Sequence, residues 1–146
     1  MDALQKQVLI ELCTTIDDNG EMEYNTLTLS GTLFKRKELD VITYEEETED
    51  NATTKNLITI QAGKVNIKRT GAISMNQQFR THQTTENVLK HPYGTIHMET
   101  YTNAITYQPL DEKDIGKLVI SYTVKLNGQE ERKHELTLTL KEEGLV

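Results

Sequence analysis

The stretch LVISYTVKLNGQEERKHELTLTLK, residues 118–141, decides the fold of this chain. Apolar side chains occupy every second position over 118–126 and again over 136–140, with mostly polar side chains between them. Such alternation is typical of a strand with one buried face. Asn127-Gly128 lies between the two runs and is a dipeptide favoured in the type I′ turn of a tight hairpin. The segment therefore predicts two antiparallel strands whose apolar faces point to a common core.

Period-two alternation recurs in most other segments, and a sustained helical period is absent from the sequence. Turn-forming clusters separate these segments, among them Asp17-Asp18-Asn19-Gly20, Ala62-Gly63 and His91-Pro92-Tyr93-Gly94. We expect further strands at about residues 8–16, 21–30 continuing to 35, 39–44, 57–61, 64–70, 74–81 and 95–107. Gly31 and Asn103 mark an expected bulge or bend. A polar stretch rich in threonine and glutamine follows residue 81 and extends to Lys90.

These segments add up to eight or nine strands joined by short turns, in a single domain spanning residues 1–146. Without a crossover helix, strands adjacent in sequence pair antiparallel and form an up-and-down meander. About eight such strands can close into a barrel, which removes the unpaired edges of an open sheet. The predicted fold is all-β, a closed antiparallel barrel, with a two-sheet sandwich as the alternative.

The composition narrows the classes of partner. With 16 basic and 23 acidic residues, the formal net charge of −7 repels nucleic acid, so no nucleic-acid partner is expected. No apolar run approaches the roughly 18 residues of a membrane span, and residues 1–12 lack a signal-peptide core, so no membrane partner is expected. The single Cys13 forms no intramolecular disulfide, which indicates a reducing, cytoplasmic location.

Residues 45–51, EEETEDN, form an acidic stretch without alternation. Clustered carboxylates suit a hard cation such as Ca²⁺, but the spacing and the missing glycine do not match a calcium loop. The preferred interpretation is a solvated loop whose charges keep neighbouring strand edges from pairing with another chain.

Several residues of the C-terminal half occur in a characteristic order: Arg69, Gly71, Met75, Phe79, Pro92-Tyr93-Gly94, Thr102 and Tyr122. In this order the chain resembles the YwiB-like family of small bacterial proteins of unknown function, which is assigned to the calycin, or lipocalin-like, barrels. The resemblance implies a calycin-like barrel and no established substrate. The chain departs from the family at His91, where threonine is expected, and at Val88, where an aromatic residue is more common.

Arg69 is the most informative polar residue. Counting by twos places it on the same strand face as Val65 and Ile67. If that face points inward, the guanidinium group needs an acid or a ligand anion, because an unpaired buried charge is costly. Its planar donors suit a carboxylate or a phosphate, such as the headgroup of a fatty acid. An internal salt bridge, or a side chain reaching the rim, is the preferred alternative.

Four further residues complete the candidate ligand-binding set with Arg69. Tyr122 shares the apolar face of its strand, where its hydroxyl group binds a ligand or, the preferred interpretation, a protein group. Phe79 and Met98 lie on mixed apolar and polar faces that suit a pocket lining and suit an ordinary core almost as well. Tyr93 belongs to the Pro-Tyr-Gly turn of the resemblance.

Residues for catalysis or metal binding form no recognisable cluster. The four histidines include no closely spaced ligand pair, so no metal site is expected. Ser74 and Ser121 lack the setting of a nucleophile elbow, and a glycine-rich phosphate loop is absent from the sequence. We therefore expect no cofactor and no enzymatic activity.

Three hypotheses of function remain. The first is a cytoplasmic barrel that binds a small amphipathic or anionic ligand in its interior, and an interior filled by side chains with Arg69 paired to an acid would argue against it. The second is a protein-interaction or structural module, which predicts an exposed apolar patch. The third is an enzyme whose site joins Arg69, Tyr93, His91 and Tyr122. A homodimer is an open alternative to a monomer.

Overall fold

The computed structural model describes residues 4–47, 52–110 and 115–143. Within these ranges the chain forms ten β-strands joined by short turns. They are β1 (Leu4–Asp18), β2 (Glu21–Arg36), β3 (Leu39–Glu47), β4 (Thr53–Gln61), β5 (Lys64–Gly71), β6 (Met75–Arg80), β7 (Thr84–His91), β8 (Gly94–Gln108), β9 (Ile115–Leu126) and β10 (Arg132–Glu142). A helix able to cross a membrane is not found in this part of the chain.

All ten strands belong to one antiparallel sheet in the order β7-β8-β9-β10-β1-β2-β3-β4-β5-β6. Strands adjacent in sequence therefore pair, except β6 with β7, and the two terminal strands β1 and β10 pair in the middle of the sheet. This arrangement confirms the antiparallel up-and-down meander. The alternative of a two-sheet sandwich is wrong, because all ten strands belong to one sheet.

The outermost strands β6 and β7 meet and nearly close the sheet into a barrel. Ser74 and Lys90 exchange two backbone hydrogen bonds of 3.1 and 2.8 Å across this junction. A second bridge lies at Thr81 and Thr102, where the His82 N–H donates to the Thr102 carbonyl at 2.7 Å. We call this junction the seam. The barrel is therefore closed by two short bridges and not by a continuous ladder.

The structure has ten strands, one or two more than the eight or nine expected. Residues 84–91, most of which belong to the polar stretch that was assigned no strand, form β7 and pair along their length with β8. The half-buried positions of β7 are Thr85, Asn87 and Leu89, and two of these three are polar. Hydrophobic alternation is therefore missing, although the pairing with β8 makes the segment a strand.

The last hairpin follows its prediction. The chain turns at Asn127 and Gly128, whose φ angles of +48° and +74° are those a type I′ turn requires. Leu118 and Ile120 on β9 and the facing leucines of β10 lie in the core. The bulge expected near Asn103 is also present, as a shift of register between Thr102 and Ala104 on β8.

Gly31 does not mark a bulge, because β2 keeps one register against β1 from Glu21 to Lys35. It marks the place where β3 joins β2, since the ladder between these strands begins with Gly31 opposite Tyr44. A Cβ atom at Gly31 would lie 2.5 Å from the Thr43 carbonyl oxygen, so the close approach requires glycine. In the described part of the chain, residues 21–30 extend beyond this point with no strand on that side. We call this unpaired side of residues 21–30 the free edge.

The acidic stretch is not a loop from its first residue. Glu45–Glu47 continue β3 and pair with residues 53–55 of β4. Residues 48–51, the remainder of the expected loop or cation site, lie outside the described residues.

Side chains fill the middle of the barrel. Nineteen apolar residues form one buried cluster, and nine of the aliphatic ones are entirely inaccessible to solvent together with Phe79. The fully buried aliphatic residues are Val8, Ile10, Leu33, Ile42, Val65, Leu118, Ile120, Leu138 and Leu140.

 Apolar side chains therefore occupy the middle of the barrel.

Candidate functional site

A cavity of about 460 Å³ opens at the end of the barrel where β5 ends and β6 begins. We call it the mouth cavity. Leu12, Leu27 and Leu136 supply apolar parts of its wall, and Arg69, Glu46 and Asn56 supply a polar part. Its size falls within the range of about 300–1,000 Å³ that is common for small-molecule sites, and its mixed lining is also typical of them.

Arg69 reaches this cavity because of its place on β5. Val65 and Ile67 precede it on the same strand face, and both are buried in the core. Two residues further along, the strand has left the core, and the Arg69 side chain is 25% exposed. The guanidinium group therefore lies at the rim of the barrel interior, with its apolar neighbours beneath it.

An acid neutralises Arg69 at this position. Its Nη2 lies 3.3 Å from Glu46 Oε2, and its Nε donates to Asn56 Oδ1 at 3.0 Å. Asn56 Nδ2 in turn donates to Glu46 Oε1 at 3.3 Å, so the three side chains form a closed ring of polar contacts. This pairing, together with the filled core, argues against a ligand enclosed in the middle of the barrel.

Tyr44 lies beneath the ring on β3 and also lines the mouth cavity. The pKa of its hydroxyl group is raised to about 12, chiefly by burial and secondarily by the Glu46 charge, while the Arg69 charge acts in the opposite direction. The hydroxyl group is therefore protonated at neutral pH and is able to donate a hydrogen bond.

Gln77 adds a buried amide to the cavity wall opposite β3. Its Nε2 donates to Thr100 Oγ1 at 3.0 Å, and both residues are buried. This hydrogen bond joins the mixed faces of β6 and β8 inside the barrel.

The other candidate residues lie elsewhere. Phe79 is fully buried and packs edge-on against Tyr122, with ring centroids 4.8 Å apart. Met98 is also a buried core residue, at 8% exposure. Tyr93 lies at the turn between β7 and β8 and is 92% exposed. The structure therefore brings Phe79 and Tyr122 together, but neither they nor Tyr93 line the mouth cavity with Arg69.

Tyr122 has a second aromatic neighbour in His134, whose ring stacks on it at 5.1 Å. Burial raises the pKa of Tyr122 to about 12. Burial, and secondarily the charge of Arg132, lowers the pKa of His134 to about 4. A separate cavity of about 260 Å³ borders both side chains beside the bulge at Asn103. The His91 side chain, the fourth group of the enzyme hypothesis, lies outside the described residues.

Sequence reasoning missed Glu46 and Asn56. Glu46 shares its strand face with Ile42 and Tyr44, so counting by twos through the acidic stretch would have placed it inward. Asn56 likewise shares its strand face with Ile58 and Ile60 on β4. The alternation predicts an inward position for both residues. Because residues 45–51 were assigned to a loop, Glu46 was not recognised as the acid that pairs with Arg69.

The fold and its site define a nearly closed antiparallel barrel with an acid-paired arginine at one mouth. Comparison with known proteins assigns the family. Residues 10–138 match the domain of unknown function DUF1934, and the chain belongs to this family.

The chain is similar to the uncharacterised β-barrel protein YwiB of Bacillus subtilis, with 27% identity over 132 residues that span 90% of this chain and 91% of that protein. Its structure is similar to the crystal structure of the ywiB protein from Bacillus subtilis, with a TM-score of 0.82 and 22% identity. That alignment covers 94% of this chain and 92% of the other. The resemblance to the YwiB-like family is thereby confirmed, and the family is one of unknown function.

Proposed function

We propose that this protein binds a small amphipathic anion at the mouth of its barrel. The observation that carries the proposal is the mouth cavity of about 460 Å³, which has leucine side chains on one part of its wall and Arg69 on another. An anionic headgroup would meet the guanidinium group, and the apolar part of the ligand would lie against Leu12, Leu27 and Leu136.

The Arg69–Glu46 pair affects how strongly the cavity binds an anion. Two of the donor groups of Arg69 serve Asn56 and Glu46 at 3.0 and 3.3 Å. A guanidinium group carries five N–H donors, so it is able to receive a ligand anion while it keeps its protein partners. Glu46 then acts as a competitor, because its negative charge repels an incoming anion.

The calycin grouping and a cytoplasmic location belong to the same proposal. Lipocalin-like barrels hold one small ligand in the barrel mouth or interior, which fits the position of the cavity. The single Cys13 supports a reducing compartment.

Binding of octanoate tests the proposal, with octanol as the uncharged control of the same chain length. We expect octanoate to shift the NMR signals of residues around the mouth cavity and to bind more tightly than octanol. Arg69→Met should remove this preference, a loss of about tenfold or more for one charge-assisted hydrogen bond. Glu46→Gln should instead strengthen octanoate binding.

Equal binding of octanoate and octanol by the wild type would contradict the proposal, as would an unchanged preference in Arg69→Met. Native mass spectrometry of the protein purified from its own host provides a second test. A small anionic molecule that is retained by the wild type and lost in Arg69→Met supports the same conclusion.

A further inference from the structure

The free edge of β2 offers backbone groups to another strand. In the two-residue hairpin at Asn19-Gly20, Asp18 pairs with Glu21, so the odd-numbered residues of β2 direct their N–H and C=O groups toward β1. The even-numbered residues direct theirs away from β1. Over residues 32–36 these groups meet β3, but over residues 22–30 no strand in the described part of the chain receives them.

The side chains along this edge are also uncovered. Residues 21–28 are all exposed, including the large apolar ones. Met22 is 46% exposed, Tyr24 70% and Leu27 38%. Natural sheets usually shorten, cover or charge such an edge, because an open edge pairs with other chains. An exposed apolar patch is also what the hypothesis of a protein-interaction module predicts.

Cavities flank the place where β2 and β3 separate. The mouth cavity lies on the inner side of the sheet, and a groove of about 640 Å³ lies on the outer side, lined by Ser30, Thr43 and Leu57 among others. Both reach Tyr44. A strand added to a sheet edge directs alternate side chains to the two faces, so each face here has space to receive them.

The charges along the edge select the partner. Glu21 and Glu23 lie on one face of β2, and no lysine or arginine occurs between residues 21 and 30. The face opposite Glu21 and Glu23 carries Met22 and Tyr24. Cross-strand pairs are favourable between opposite charges and between aromatic and β-branched side chains.

We propose that the free edge of β2 binds an extended segment of another protein that alternates basic with apolar, β-branched residues. The segment adds antiparallel to β2, with its basic side chains opposite Glu21 and Glu23 and its apolar side chains opposite Met22 and Tyr24. This proposal does not require the ligand proposed for the mouth cavity, although the two sites share Leu27. A second copy of the chain fits less well, because residues 21–30 contain no lysine or arginine to place opposite Glu21 and Glu23.

A ten-residue peptide of alternating lysine and valine, with blocked ends, is the probe, and a glutamate–valine peptide is its control. We expect the lysine peptide to bind at least about tenfold more tightly. Hydrogen exchange should slow at the amides of Met22, Tyr24 and Thr28. The double variant Glu21→Lys, Glu23→Lys should reverse the preference between the peptides without a change in fold.

Backbone methylation gives a sharper control. Directly opposite residues whose backbone groups face each other exchange both hydrogen bonds, so valines opposite Met22 and Tyr24 donate to β2 and lysines do not. N-methylation of two valines should abolish binding, and N-methylation of two lysines should leave it unchanged. In Arg69→Met, N-methylation of the valines should still abolish peptide binding, because the arginine takes no part in the backbone hydrogen bonds of the edge, and this separates the proposal from the one for the mouth cavity.

Three results would overturn the proposal. One is equal binding of the two peptides, and another is binding that survives N-methylation of the valines. The third is a dimer in sedimentation that Thr28→Pro converts to a monomer, since proline there removes an outward N–H group and the result would assign the edge to a second copy.

Discussion

Arg69 and Glu46 are paired at the surface of the mouth cavity, where water reaches both. Their side chains are 25% and 28% exposed, so solvent screens their attraction. We expect a double-mutant cycle with Arg69→Met and Glu46→Gln to give a coupling energy of about 1 kcal/mol or less. Chemical denaturation of the four proteins measures it. A coupling of several kcal/mol would identify the pair as a structural element and remove support for a ligand at Arg69.

His134 makes the stability of the fold depend on pH. Its pKa is lowered from 6.5 to about 4 in the folded protein, chiefly by burial. Between these two values the unfolded chain binds a proton that the folded chain does not, so stability falls as the pH falls through this window. We expect His134→Gln to reduce the slope of unfolding free energy against pH from 7 to 4.5.

Thr137→Ser, a substitution on the same strand at a residue that does not titrate, is the control for this titration. Its pH slope should match that of the wild type. An unchanged slope in His134→Gln would show that acid sensitivity arises at other groups.

At the scale of elements, the turn between β9 and β10 also holds β8. The Asn127 N–H donates to the His97 carbonyl at 2.8 Å, and the His97 N–H donates to Asn127 Oδ1 at 2.9 Å. Asn127→Gly keeps the left-handed conformation and loses the side-chain bond, at a cost of about 1 kcal/mol. Asn127→Ala should lose about 1 kcal/mol more from backbone strain. Equal losses of stability for Asn127→Gly and Asn127→Ala in thermal unfolding would contradict this separation of the hydrogen bond from the backbone strain.

The same hairpin shows why some elements can be predicted from sequence. Its strands alternate strictly, its turn dipeptide has a specific conformation, and both signals are local. β7 lacks these signals, because Thr85 and Asn87 occupy half-buried positions where alternation would require apolar residues. Pairing with β8 makes it a strand, and such a tertiary contact is not visible in a single sequence.

The candidate site likewise has one part that the sequence predicts and another that it does not. Counting by twos placed Arg69 on the face of Val65 and Ile67, and the structure has it there. Its partners on β3 and β4 depend on the alignment of three strands, which local patterns do not specify. Phe79 and Met98 share the inward direction of Arg69 but lie deeper in the core, because direction does not determine depth along a barrel.

At the scale of the whole molecule, the strands of the barrel are joined by many backbone pairs on one side and by few on the other. Ten consecutive residue pairs join β1 to β10 in the middle of the sheet. The seam, where β6 meets β7 and β8, rests on two isolated bridges, Ser74 to Lys90 and Thr81 to Thr102. Cooperative opening requires the loss of many contacts in the first region and few in the second, so the seam should open by local fluctuation.

Native-state hydrogen exchange tests this difference. The amides of Ser74 and Lys90 should exchange through local opening, at rates that low concentrations of denaturant leave unchanged. The amides of Ile10 and Leu138 should exchange only through global unfolding and should accelerate with denaturant. If all four amides exchange with the same free energy and denaturant dependence, the barrel opens as one unit and the seam is not a separate element.

The seam also borders the proposed ligand site. Ser74 is adjacent in sequence to Met75, which lines the mouth cavity. A ligand that packs against Met75 and binds the closed barrel preferentially must stabilise the closed seam by the difference in its two affinities. Saturating octanoate should therefore slow exchange at Ser74 and Lys90 in the wild type and leave it unchanged in Arg69→Met. Protection that appears equally in Arg69→Met would mean that binding does not depend on the arginine.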